Sequence, residues 1–254
     1  MARPDSRTPR LFVDSPLAEG GAVALDSQQT NHVVSVLRLT AGARLLLFNG
    51  RDGEFAASLA AVTRKGASVA VGGRTRPPET PPDVEYLFSP LKHARLDYVA
   101  EKAVEMGARR LRPILTRRTQ VSRVNVERLR ANAIQACEQC GAVWTPEVAS
   151  PASLKEALTG WPAERLLVFC DEEAPEASPL AALARGRAPH GVSLIVGPEG
   201  GFDDEERALV LAAPRVMRLR LGPRILRADT AAVAALALIQ ATLGDWETPM
   251  PRSE

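Results

Sequence analysis

Two segments of the 254-residue chain combine residue types that suit a bound ligand. In Ser193-Leu-Ile-Val-Gly-Pro-Glu-Gly-Gly201 an apolar run passes straight into a glycine-rich loop, and Asp203, Asp204, Glu205 and Glu206 follow it. Glycine has no Cβ to hold a ligand away and leaves its amide N–H bare, so a strand that ends this way can cradle a ligand. The acidic run suits the positive end of a helix. No Gly-Lys-Ser/Thr follows, which excludes a Walker phosphate loop, and the G-x-G-x-x-G spacing of a dinucleotide fold is missing. The second segment, Leu219-Arg-Leu-Gly-Pro-Arg-Ile-Leu-Arg-Ala-Asp-Thr230, repeats the layout: strand, Gly-Pro turn, then a helix start with Asp229 and Thr230 as caps. Taken alone, each segment also reads as a tight turn before a capped helix. Together, at neighbouring strand ends of a parallel sheet, they would form one crevice. Leu221, Ile225 and Leu226 would give an adenine ring apolar faces there, with Arg224 and Arg227 left for an anionic or polar partner.

The elements that must position these loops follow from the apolar pattern. Residues 84–88, 110–115, 165–169, 192–196 and 216–219 read as strands, and 93–106 and 126–140 as helices, the second ending at Gly141. This alternation is the signature of an α/β domain with a largely parallel sheet. Thr230–Leu243 is apolar nearly all round and so must be buried on more than one side. Upstream, 10–14, 44–49, 55–62 and 67–71 are short β-forming runs separated by Asn49-Gly50 and Asp52-Gly53, with one helical stretch at 28–37. They read as a small β-barrel-like domain. Between the two patterns, Gly72–Asp83 holds four prolines and no periodicity, which reads as a stiff connection. The expected division is therefore 1–72, a linker at 73–83, and 84–254.

Composition narrows the function classes. Mean hydropathy near zero, no apolar run of membrane-spanning length and a polar start, MARPDSRTPR, point to a cytoplasmic protein with no membrane partner. Net charge is only +2, but residues 84–135 hold 11 Lys or Arg against 5 Asp or Glu, while 136–213 hold 5 against 13. Such a basic block fits either nucleic-acid phosphates or a solvated helix face. Cys137-Glu-Gln-Cys140 has a metal-ligand spacing, yet there is no second pair. His32, His93 and His190 are scattered, so no metal is expected and the cysteines read as packing residues.

The strings IVGPEGGF, RLGPRILRADT, AEKAVEMGARRLRPILTRRT and ACEQCGAVWTPEV, with RLFVD and HVVSVLRL before them, resemble the RsmE family of 16S ribosomal RNA uridine-N3 methyltransferases in order and spacing. The resemblance covers roughly residues 10–245. It implies an α/β SPOUT-type C-terminal domain with a deep trefoil knot, a PUA-like RNA-binding domain before it, S-adenosylmethionine as cofactor, and a homodimer. It also implies one target, uridine 1498 of 16S rRNA in the assembled small subunit. A related RNA methyltransferase acting elsewhere, or a non-catalytic RNA binder on the same scaffold, remains open. Three family loops match Phe169–Glu173, Gly197–Gly201 and Leu219–Leu226. The implied cofactor residues are Phe169, Glu172, Gly197, Pro198, Glu199, Gly200, Gly201, Leu219, Leu221, Gly222, Ile225, Leu226 and Thr230. Where the family commonly has Arg-Thr-Glu-Thr, this chain has Arg227-Ala-Asp-Thr230, a carboxylate on a shorter stem.

Uracil N3 must lose a proton before or during methylation, which calls for a base or for cations that hold the anionic ring. Asp229 and Glu138 are the base candidates, and Arg227 the cation that meets charge developing on the uracil oxygens. Arg10, Lys92, Arg117, Arg118, Arg224 and Gln139 are the candidates for holding RNA.

Overall fold

A computed structural model describes residues 8–63, 66–92, 94–121, 123–176, 178–186 and 188–246; His93 lies outside them. Two compact units emerge. One contains the described residues up to Thr80 together with Cys137–Thr145; the other contains Pro81–Ala136 and the described residues from Pro146 onward.

In the first unit, β1 (Arg10–Phe12), β2 (Ala22–Ala24), β3 (Arg44–Phe48), β4 (Glu54–Thr63) and β5 (Gly66–Arg76) form one sheet in the order β1-β3-β4-β5-β2. Strict alternation turns Ala67, Val69 and Val71 of β5 inward, where they meet Leu45, Leu47, Phe55 and Leu59. The helix expected at 28–37 is α1 (Ser27–Asn31), capped by Asp26, and it widens into one π-helical stretch at His32–Val36. The linker differs from the expectation: β5 runs on through Arg76, paired with Glu54, so only the stretch from Pro77 is free of strand. Composition hid this because Gly72 and Gly73 sit inside a strand, where they are ordinarily disfavoured.

The second unit carries β6 (Val84–Phe88), α2 (Ala94–Glu105), β7 (Arg110–Leu115), α3 (Val126–Cys140), β8 (Glu147–Val148), β9 (Ala152–Ser153), α4 (Leu154–Leu158), β10 (Leu166–Cys170), α5 (Pro179–Ala184), β11 (Val192–Val196), α6 (Asp204–Leu211), β12 (Val216–Leu219) and α7 (Ala228–Leu243). The last four residues of α3 group with the first unit. The sheet is parallel throughout, in the order β12-β10-β11-β6-β7-β8, with β9 paired to β7. Every residue of β6 and β11 is buried, as continuous apolar runs require when both faces of a parallel sheet are covered.

Helix α7 corrects one expectation. It begins at Ala228 with Arg227 as N-cap residue, which makes no side-chain cap bond, so Asp229 and Thr230 belong to the first turn. Ala231, Ala232, Ala235, Leu236 and Ile239 are buried, while Val233, Ala234, Ala237 and Leu238 stay partly exposed among the described residues.

Candidate functional site

Strand order brings the expected loops together. β10 lies between β12 and β11, so the loops that leave their carboxyl ends adjoin one another, the position where open parallel sheets bind ligands. The loop after β10 is locked by Asp171, whose carboxylate accepts from Arg207 of α6 at 2.6 Å and Arg218 of β12 at 2.5 Å. Burial works against that charge, but the two guanidiniums outweigh it and hold the carboxyl below its ordinary range. Glu172 beside it is exposed. Asp171 was not read from the sequence, since its partners lie 36 and 47 residues away.

The glycines of the loop after β11 divide by role. A Cβ on Gly197 would come within 2.8 Å of the Phe202 ring, which itself packs edge-on against Phe169 at 5.6 Å, so Gly197 makes room for packing. Pro198 is buried beside it. Gly200 lies outside the left-handed region and is exposed, with Arg118 lying 3.3 Å from where its Cβ would be and donating to its carbonyl at 2.6 Å. Gly201, at φ 70°, has open space where a side chain would be, and so does Gly222 after β12, at φ 94°. These two are the positions where bare backbone faces outward. Around Gly222, Leu219 is buried, Leu221 and Leu226 are half-buried, and Ile225 is 89% exposed.

Arg95, in the first turn of α2, is a residue that sequence reasoning missed. Its guanidinium pairs with Glu199 of the loop after β11 and donates from Nε to Asp229 Oδ2 at 3.0 Å, tying that loop to the start of α7. Asp229 Oδ1 also accepts from the Thr230 N–H at 2.8 Å. Burial opposes the Asp229 charge, but Arg95 and the Thr230 amide prevail and depress its pKa, which makes it a weak base. Thr230 itself is exposed. The other base candidate, Glu138, belongs to the first unit, where its carboxylate accepts from the Phe12 N–H at 2.8 Å. Burial raises its pKa despite that bond.

The cations separate into committed and free. Arg10 is a structural clamp: Nε donates to Glu54 at 2.8 Å, Nη1 to the carbonyls of Cys137 and Glu138, and Nη2 to that of Ala142 at 2.8 Å. Its side chain is 9% exposed, which corrects its assignment as a phosphate donor. The acidic half of the chain also neutralises much of the basic block. Arg117 pairs with Asp203 at 2.9 Å and with Glu205, and Arg110 pairs with Glu147 at 2.9 Å. Among the described residues, Lys92, Arg224 and Arg227 are exposed and make no ion pair or hydrogen bond through their side chains. Gln139 is exposed in the first unit. Cys137 is buried there and its thiol pKa pushed up, while Cys140 is exposed.

A parallel α/β sheet with three adjoining ligand-ready loops at its carboxyl edge, accompanied by a small β unit, defines a two-unit α/β enzyme architecture. Residues 78–240 match the family model of the RNA methyltransferase domain, and residues 25–71 that of the RNA methyltransferase PUA domain. Ribosomal RNA small subunit methyltransferase E of Rickettsia conorii is 30% identical over 232 residues, 91% of this chain and 94% of its own length. The crystal structure of the Neisseria gonorrhoeae protein of that name, bound to S-adenosylmethionine, superposes with a TM-score of 0.84 at 29% identity, covering 94% of this chain and 100% of that one. A Legionella pneumophila methyltransferase solved with its bound cofactor S-adenosylmethionine gives 0.82 at 32% identity, over 94% and 99% of the two chains. This chain belongs to the ribosomal RNA small subunit methyltransferase E family.

Proposed function

We propose that the chain methylates N3 of one uridine, position 1498 of 16S rRNA in the assembled small ribosomal subunit, using S-adenosylmethionine and acting as a cytoplasmic homodimer. The observation that carries this reading is the convergence of the loops after β10, β11 and β12 at one carboxyl edge in a member of this family. The open space at Gly201 and Gly222 and the exposed Ile225 between half-buried Leu221 and Leu226 fit an adenosine-type ligand. Phe169, Glu172, Pro198–Gly201, Leu219–Leu226 and Thr230 would hold it, with Gly197 acting through Phe202. When bound, S-adenosylmethionine supplies a methyl group activated by its sulfonium.

The chain's own residues position the acceptor and manage its charge. A carboxylate held below its ordinary pKa is a poor proton acceptor at neutral pH, so Asp229 serves to orient Arg95 and the start of α7. Arg227 is the free cation at that start, and it stabilises the uracil anion as the N3 proton passes to water. Arg224 and Lys92 contact phosphates, which set register without reading sequence. The first unit, with Gln139 and Glu138, contributes RNA recognition, and residues 84–254 carry the SPOUT-type trefoil knot. The partly exposed apolar face of α7 is the dimer surface.

Mass spectrometry of 16S rRNA nucleosides from cells with and without this protein tests the reading. Loss of one N3-methyluridine per 16S molecule in the deleted strain is the expected result. An unchanged nucleoside profile would overturn it.

A further inference from the structure

The second unit has a cleft that the cofactor loops do not use. It measures about 390 Å³ and opens where Ser89–Lys92 leaves β6 and the segment after β7 leads into α3. That volume falls in the range of about 300–1,000 Å³ typical of small-ligand pockets. Leu91, Leu96, Val121 and Leu129 supply apolar wall, and Lys92 and Arg123 stand exposed at its rim. The cleft is tied to the candidate site through Arg95, whose N–H donates to the Lys92 carbonyl at 3.1 Å and whose guanidinium pairs with Glu199.

Charge identifies the occupant. Arg95, Arg110, Arg112, Arg117 and Arg128 of the same basic block all hold carboxylates. Lys92 and Arg123 have no such partner among the described residues. The one acid lining the cleft, Asp97, is already satisfied, by Arg128 at 2.5 Å and 3.0 Å and by Asn132 at 2.6 Å. The cleft is therefore a positive rim on an apolar floor. Two free cations a short distance from an apolar wall match the two components of an unpaired nucleotide, its phosphates and its flat base. An acidic protein segment would satisfy the cations but has no flat ring to lay on four aliphatic side chains.

We propose that this cleft is an RNA subsite that takes one unpaired nucleotide of the strand carrying the target base, with its phosphates on Lys92 and Arg123. The proposal deepens the methyltransferase reading and rests on it for the identity of the strand.

The test uses the full chain and a short fluorescent single-stranded RNA spanning the target uridine. In the double variant Lys92→Glu, Arg123→Glu, RNA affinity falls at least about tenfold at 0.1 M salt. The slope of log Kd against log salt drops by about 1.4, two contacts at about 0.7 each for a single strand. Val121→Ser weakens binding about threefold, with no change of slope, because it removes stacking surface alone. Affinity for S-adenosylmethionine, measured on the same samples, stays at the wild-type value and reports a folded protein. An unchanged salt slope in the double variant overturns the proposal. So does a loss confined to whole small-subunit particles, which would assign the cleft to a protein partner. Wild-type chain that binds the RNA with the predicted slope yet transfers no methyl group would sink the functional reading and leave the subsite standing.

Discussion

The amino edge of the parallel sheet and the loop after β12 at its carboxyl edge treat charge in opposite ways. At the amino edge, Arg165 donates to Ser193 and Asp83 at 2.7 Å each and to the carbonyls of Asp83, His190 and Val192, while Ser193 and Arg112 both reach the buried Glu85 at 2.8 Å. Each of these groups has a partner inside the unit. At the carboxyl edge, the loop after β12 leaves Arg224 and Arg227 unpaired among the described residues and an isoleucine 89% exposed. Charges that close on one another make the fold costly to disrupt when one partner is removed and leave little affinity for anything else. Exposed cations beside exposed apolar surface stabilise little and are available to a ligand. The contrast separates residues that hold the sheet from residues left open to a ligand.

The largest effect is expected on the closed side. Arg165→Ala takes the guanidinium donor from Ser193, Asp83 and three carbonyls and leaves the buried Glu85 carboxylate with Arg112 and Ser193 but one cation fewer, and should lower stability by about 2–3 kcal/mol. Chemical denaturation measures it, and methyl transfer per folded molecule should stay at the wild-type level. A variant as stable as wild type would mean the network is redundant. On the open side, Arg227→Ala should leave stability within about 0.5 kcal/mol. It should slow single-turnover methyl transfer by at least about tenfold, roughly 1.4 kcal/mol. Wild-type turnover at saturating RNA removes Arg227 from the reaction. Smaller again is Ile225→Ser, which strips apolar surface from the proposed cofactor crevice. Titration calorimetry should show S-adenosylmethionine affinity about fivefold weaker, near 1 kcal/mol, with an unchanged melting temperature.

The sequence carried the sheet well and the charge partners poorly. Strands at 84–88, 110–115, 192–196 and 216–219 and the helix at 126–140 match their expected bounds because long apolar runs and a glycine stop are local signals. β2, α4 and α5 are three, five and six residues long, too short to show a period. The glycine-rich loops were legible as loops, but the division of labour within them was not. Nothing in the string GPEGG says that Phe202 fills the space at Gly197 while Gly201 stays open. Arg10 looked like every other arginine until its carboxylate, 44 residues away, and three carbonyls about 130 residues away were placed around it. Arg95 was passed over for the same reason: its partners, Glu199 and Asp229, are more than 100 residues downstream.

Arg95 also offers the finest test of the contrast, since it lies at the open edge yet is committed to a carboxylate. The Asp229 pKa is depressed because Arg95 and the Thr230 amide overcome the effect of burial, and a depressed carboxyl stabilises the folded state wherever it is ionised. That increment is fully present above the unfolded aspartate value, near 3.9, and is lost as pH falls through the lower folded value. Asp229→Asn should therefore be less stable than wild type at pH 7, and the gap should close as the two proteins are titrated below pH of about 4. Arg95→Ala should show the same closing gap and raise the Asp229 titration midpoint, read from its carboxyl carbon by NMR, whereas Arg95→Lys should restore part of the depression. If the midpoint does not move in Arg95→Ala, the Thr230 amide alone governs Asp229, and the tie between the glycine loop and α7 has no electrostatic consequence at the carboxylate.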